Sequence, residues 1–420
     1  VRNEKLNTLN GILSSVAANL VAPFTVIFAL KLGATNVQTA LLSAGPALAG
    51  LLVLIPGARW VDKHHDRFHI TGVLMVANRL FYLLMAAVPF LLPPFQAAVF
   101  ILLVTVMNAP GAVANAAWQS TMAQVIGPER RADAFAARNR AMNVVGTATA
   151  LGAGALLDWI PSPWGYQIMF AGALFVALAE VRIFLQMRPV GDPTPAEDVP
   201  VSIHGAEQVI VQPPAETPPM LHRLRAKVTE IRSNRTFVRY TLASVLFYFG
   251  WQTPWTIFSL YQVKELGAGN FWISLLALLN TGGSLVGYGF WVKRIEAKGN
   301  KYVLWLSALP LVAVPFTYAF SHSLIVIAVM TLAIGVTLSG LTIALFNSLL
   351  EATPELNRTS YIAYYNTAIT VTSVAAPIWG VLVFQWWGFQ TAFLLCGAQR
   401  TLGAAALFVL WWKAPTPSRA

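Results

Sequence analysis

Long apolar runs alternate with short polar breaks along this chain. A helix needs about 20 residues to cross ~30 Å of hydrocarbon, and twelve runs of that order can be marked out. They fall at 6–31 (span 1), 36–60 (span 2), 70–93 (span 3), 95–125 (span 4), 134–158 (span 5), 164–187 (span 6), 237–265 (span 7), 269–292 (span 8), 301–320 (span 9), 322–352 (span 10), 360–386 (span 11) and 389–412 (span 12). None shows the period-2 alternation of a membrane β-strand, so each is predicted to be a helix. The fold class that follows is an all-α integral membrane protein. The first run is too long, and passes too directly into the second, to read as a cleavable leader.

One polar interval interrupts the series. Residues 189–235 carry Pro193, Pro195, Pro213-Pro214 and Pro218-Pro219 and end in a basic stretch. That is linker composition, with a short helix expected at 220–233. It separates six spans in 1–188 from six in 236–420. The two halves repeat each other. Pro23-Phe24-Thr25-Val26 matches Pro254-Trp255-Thr256-Ile257, and Leu32-Gly33-Ala34 matches Leu266-Gly267-Ala268. Pro128-Glu129 with Arg131 and Asn139 matches Pro354-Glu355 with Arg358 and Asn366, and Trp164-Gly165 matches Trp387-Gly388. Four matches in one order, at equivalent places in the span pattern, indicate duplication. Duplicated six-helix units are a transporter architecture, with the substrate site between the halves.

Composition changes the picture in one respect. Charged residues are only 11% of the chain, too few to coat a soluble protein of 420 residues. The formal net charge of +11 therefore has to be read by position. Lys and Arg gather at the termini and in alternate loops, among them Arg59, Lys63 and Arg67, Arg130-Arg131, and Lys293 to Lys301, while the intervening loops are nearly bare. That bias places both termini in the cytoplasm of a bacterial-type inner membrane. It orients the chain and supplies no contiguous face for nucleic acid. One Cys, Cys396, gives no disulfide, and His64-His65 in a loop gives no metal site. No cofactor is implied, and no catalytic or phosphate-loop motif points to an enzyme.

Twelve spans, the repeat, the central loop and the loop 58–67 together resemble the major facilitator superfamily. The family usually carries Gly-x-x-x-Asp-Arg-x-Gly-Arg-Arg between spans 2 and 3. This chain has Ala58-Arg59-Trp60-Val61-Asp62-Lys63-His64-His65-Asp66-Arg67, keeping the acid, the base after it and the last base. The resemblance implies two pseudo-symmetric six-helix bundles. It implies a gating loop in which Asp62 meets the start of span 11 near Ser360, and Lys63, Arg67, Arg131 and Arg358 are assigned to the same gate. It also implies that spans 1, 4, 7 and 10 surround the cavity.

Polar residues in those spans are the candidates for the substrate cavity, because amides facing lipid are costly. Span 1 offers Asn10 and Asn19. Span 4 places Asn108, Asn115 and Gln119 on one helical face. Span 7 places Tyr248, Gln252 and Trp255 on another. Thr342 in span 10, Tyr365 and Asn366 in span 11, Asn143 in span 5 and Asn280 in span 8 complete the set. Each could instead bond helix to helix. Neutral amides, hydroxyls and rings suit a neutral or weakly charged solute.

Embedded charges are few. Arg79, Arg140 and Arg400 are the embedded bases singled out, with Arg79 and Arg400 expected in a buried pair or bonded to carbonyls. Arg138 either flanks the cavity mouth or reaches to the interface. Glu180 is the one embedded acid that is a candidate for carrying a coupling proton or ion, with uncoupled transport the alternative. The function expected is a monomeric, lipid-embedded transporter moving a small molecule by alternating access. Efflux of an amphipathic compound comes first, uptake or facilitated diffusion of a sugar-like solute second, and a non-transporting sensor or lipid-handling role third.

Overall fold

The computed structural model describes residues 2–62, 66–126, 128–187, 233–354 and 358–412. The linker and the helix expected at 220–233 lie outside them. Each expected span is mostly helical, some of them in more than one piece. Span 1 is Arg2–Val21, a 3-10 turn Ala22–Phe24 and Thr25–Lys31. Spans 2 to 6 are Asn36–Asp62, Arg67–Ala87, Pro93–Val125, Pro128–Trp159 and Trp164–Leu185. Span 7 is split into Arg235–Gln252 and Trp255–Lys264. Spans 8 to 10 are Asn270–Lys298, Asn300–Phe320 and Leu324–Ala352. Spans 11 and 12 run on as Arg358–Trp412, kinked at Gly388 where φ is 78°.

Among the described residues, nine segments are long and apolar enough to cross a membrane, Tyr361–Trp412 counting once. Spans 5 and 7 fall outside that set. Span 5 opens on Glu129, Arg130, Arg131 and Asp133, and span 7 carries Arg235 and Arg239 before its break at Pro254.

The repeat is written into the backbone. Proline lacks the N–H that continues a helix, and both matched prolines sit at breaks, Pro23 in the 3-10 turn of span 1 and Pro254 in the gap of span 7. The matched glycines after these spans, Gly33 and Gly267, both take positive φ, 84° and 63°. That is the left-handed conformation that ends a helix most cheaply when no Cβ is present.

Spans 1 to 6 pack largely on one another, as do spans 7 to 12. The first group closes around Phe28, whose ring meets Phe100 at 5.0 Å and Tyr166 at 4.5 Å. The second closes around Tyr261, Tyr318, Phe389 and Phe393. Side chains such as Leu52, Phe175, Val286 and Val329 stand exposed on the outer surface. In a soluble protein this would be a liability; here it is the face that lipid covers. Trp159, Trp164, Trp386 and Trp387 are exposed at the end away from the termini, and Trp412 at the other, as in an interfacial aromatic belt.

Buried Arg400, 2% exposed, is explained by two prolines. Pro254 and Pro315 cannot donate to the carbonyls four residues before them, Gly250 and Leu311. The Arg400 guanidinium donates to Leu311 O at 2.9 Å, Trp251 O at 2.9 Å and Gly250 O at 3.5 Å. It thus supplies the missing donors and ties span 12 to spans 7 and 9. This is the carbonyl-bonded arginine that the sequence suggested. Arg400→Leu is expected to lower the melting temperature in detergent by several degrees. Each abandoned buried carbonyl costs about 1–3 kcal/mol. Arg400→Lys, with donors from one point, should recover only part of the loss; an unchanged melting curve for Arg400→Leu would refute this account.

Candidate functional site

The two groups of spans join where span 5 packs on span 8 and span 2 on span 11. The polar centre of the first junction is Asp158, the second-last residue of span 5. Its Oδ1 accepts from Asn270 N at 2.9 Å and Asn270 Nδ2 at 2.8 Å, and its Oδ2 accepts from Phe271 N at 2.9 Å. The N-cap of span 8 is Gly269, which has no side chain to satisfy those exposed amides. A carboxylate from the other half caps the helix instead, favoured by the helix dipole. Glycines permit the approach. A Cβ on Gly269 would lie 2.9 Å from Asp158 Oδ2, and one on Gly154 would fall 2.8 Å from Asn270 O.

Tyr166 Oη donates to Asn270 Oδ1 at 2.8 Å, and Lys264 Nζ donates to Asn36 Oδ1 at 2.8 Å. Ala40, Leu260 and Val381 form a small apolar plug beside them. All these groups lie toward the end of the bundle away from the termini.

On the terminus side of this seal, each half holds a cavity. The first-half cavity, about 410 Å³, is lined from spans 1, 3, 4, 5 and 6. At its wall Arg79 donates to Glu180 Oε2 at 2.9 Å and to Asn78 Oδ1 at 2.9 Å. Glu180 is 3% exposed, so the pair is buried and its partners hold each other's charge. Asn10 Nδ2 donates to Glu180 O at 3.2 Å. The Arg138 guanidinium sits over the Trp118 ring, 4.4 Å from its centroid. Gly11 makes room for it, since a Cβ there would sit 2.6 Å from Arg138 Cγ.

The second-half cavity, about 270 Å³, is lined by Tyr248, Trp251, Thr342, Phe346, Tyr365 and Asn366 among others. Tyr365 stacks on Tyr240, ring centroids 5.7 Å apart, and Trp251 meets Tyr248 at 5.4 Å. This wall is aromatic and uncharged.

The structure thus brings Asn10, Asn108, Asn115, Arg79 and Glu180 to one cavity and Tyr248, Thr342, Tyr365 and Asn366 to the other. The remaining candidates lie elsewhere. Asn19 donates to Ser15 O at 2.8 Å, within its own helix. Gln252 turns to span 11, donating to Ser373 Oγ at 2.9 Å and accepting from Thr372 Oγ1 at 3.0 Å. Trp255 is half exposed beyond the Pro254 break, against Trp251 at 5.7 Å. Asn143 and Arg140 are exposed, and Asn280 is half-buried on span 8. Lys63 and the side chains of Asp62, Arg67, Gln119, Arg131 and Arg358 lie outside the described residues.

Sequence reasoning missed Asp158 and left Arg138 without a partner. An acid one residue from a span's end, opposite a glycine-started helix, was the available signal for the first.

A family model described as the Major Facilitator Superfamily matches residues 8–279 and again residues 240–420. The chain belongs to the major facilitator superfamily. A Deinococcus radiodurans protein that carries the provisional name of sugar efflux transporter is 26% identical over 98% of both chains. A bacterial homologue of the iron transporter ferroportin, solved in an inward-facing state, superposes with a TM-score of 0.72 at 14% identity, covering 97% of this chain and 98% of that one. A bacterial homologue of the human lysosomal transporter Spinster superposes with a TM-score of 0.66 at 14% identity, covering 99% and 98%. Membership makes the protein a multi-pass membrane transporter of a small-molecule solute, not an enzyme.

The seal has a measurable consequence for this superfamily member. In a Cys396→Ala background, a cysteine replacing the buried Ser274, just inside the Asp158 contact, should react slowly with a maleimide. Adding Asp158→Ala should raise that rate about tenfold or more, because charge-assisted bonds of about 1.5–3 kcal/mol each are lost. An unchanged labelling rate would show that Asp158 does not hold this end shut.

Proposed function

We propose that the protein exports a sugar-like solute across a bacterial inner membrane by alternating access, the two six-helix halves rocking about a central site. The observation that carries this reading is the pairing of chemistries inside the seal. The first half offers amides and a buried ion pair, and the second an aromatic shelf. Amides and charged groups fix hydroxyls, and rings take the apolar face of a pyranose. Of the two solute classes expected from the sequence, this favours the sugar-like one, and the provisional name of the Deinococcus relative supports both the class and the outward direction. With the basic loops and both termini in the cytoplasm, the seal lies on the outer side and the cavities stand on the side from which an exported solute would load.

The Arg79–Glu180 pair is the proposed point where coupling meets binding. It joins spans 3 and 6 at the wall of the cavity, and protonating Glu180 would free Arg79.

Counterflow in proteoliposomes tests the reading. Preloaded glucose or lactose should drive uptake of the labelled sugar, whereas a non-transporting sensor would show none. Glu180→Gln should cut that counterflow about tenfold, equivalent to about 1.4 kcal/mol of barrier, and abolish its dependence on a pH gradient. If the pH dependence survives in Glu180→Gln, Glu180 is not the proton carrier. If no sugar supports counterflow while an amphipathic cation does, the solute class is wrong.

A further inference from the structure

The charges in the first-half cavity do not balance. Among the described residues, its charged lining is Arg79, Arg138 and Glu180. Glu180 is taken up by Arg79 at 2.9 Å. That leaves Arg138 one positive charge in excess, with no ion pair among the described residues. Its ring contact with Trp118 orients the guanidinium without neutralising it. Its Nε is buried and has no hydrogen-bond partner among the described residues. Leaving a charged donor buried and unpaired is costly, so the position is one that a ligand anion would complete.

A second group in the same cavity is also unsatisfied. Asn10 is 0% exposed, its Nδ2 is held by Glu180 O, and its Oδ1 accepts from no group among the described residues. An amide oxygen in that condition takes a donor, for which a solute hydroxyl is suited.

We propose that this cavity binds a hydroxylated organic monoanion of the sugar-acid class, its carboxylate on Arg138 and one of its hydroxyls on Asn10. The inference rests on the reading of the cavity as a solute site and narrows the solute from neutral sugar to sugar acid. A guanidinium pairs with a carboxylate through two parallel bonds, and the Trp118 ring holds the Arg138 head group at the cavity wall. One surplus charge matches one carboxylate. A phosphate ester, with nearly two negative charges at neutral pH, would bring a charge that no second free cation among the described lining residues meets. The second-half cavity contributes no charge to alter this balance.

Thermal unfolding of the purified full chain decides the matter, since a ligand that binds the folded state raises the apparent melting temperature by mass action. The probes are glucuronate, glucose, acetate and glucose 6-phosphate at equal concentration and ionic strength. Glucuronate should give the largest shift, roughly twofold or more above glucose, with acetate giving little and glucose 6-phosphate less than glucuronate. In Arg138→Gln the glucuronate shift should fall to that of glucose, and Arg138→Lys should keep part of the difference.

Equal shifts for glucose and glucuronate in the unaltered protein would overturn the anion and leave the sugar reading standing. No shift with either would overturn both. Acetate matching glucuronate would remove the role of the hydroxyls, and glucose 6-phosphate exceeding it would refute the single-charge balance. A glucuronate advantage that survives in Arg138→Gln would show that Arg138 is not the anchor. The comparison of probes on the unaltered protein stands even if a variant fails to fold.

Discussion

A single carboxylate caps a helix that belongs to the other half of the molecule, and the arrangement of the cavities depends on it. Helix ends leave amides without partners, and within or beside hydrocarbon they must find them inside the protein. Span 8 begins on Gly269, which cannot help, so its first amides are met by Asp158 from span 5. The bond therefore joins two halves that otherwise pack largely on themselves. It does so where glycines let the two helices come close, and it holds one end of the bundle together while the space on the other side stays wide enough for two cavities.

The same accounting of unpaired groups explains the buried charges. Arg400 answers the Gly250 and Leu311 carbonyls stranded by prolines, and Arg79 and Glu180 answer each other. These groups keep the bundle intact. Arg138 and Asn10 are different in their setting: among the described residues each retains a buried atom without a partner, and both line the first-half cavity. Buried atoms without a partner occur elsewhere too, on Asn7, Thr256 and Trp305 among others, but at Arg138 and Asn10 a cavity stands beside them, with room for something else to bind.

Much of the fold was legible because it is written in local signals. Apolar runs of membrane length gave the spans, and matched Pro23/Pro254 and Gly33/Gly267 gave the repeat, down to the backbone conformation of the glycines. The candidate site was legible only in part. Asn108 and Asn115 share a face on an unbroken stretch of helix, and they do line one cavity. The face drawn through Tyr248, Gln252 and Trp255 crosses the break at Pro254, and helical periodicity does not carry across a break, so Trp255 leaves it, while Gln252, the last residue before the break, bonds to span 11. Arg79 and Glu180 stand 101 residues apart in sequence, and no spacing rule links them. For Arg400 carbonyl bonding was one of the two expectations, and its partners could have been named as well, since Pro254 and Pro315 each announce a stranded carbonyl.

The Arg400 contacts also set what can move. To draw span 12 away from spans 7 and 9 would strip three carbonyls of their donors in one stroke. Those three helices must therefore travel as a single strut, and the split in span 7 serves as a braced joint within it. In the first half the corresponding break, Ala22–Phe24, is spanned by a 3-10 turn of span 1 itself. The two copies of the repeat, alike in outline, are thus unlike as machinery: one is pinned from outside its bend, and the other carries the bend in its own backbone.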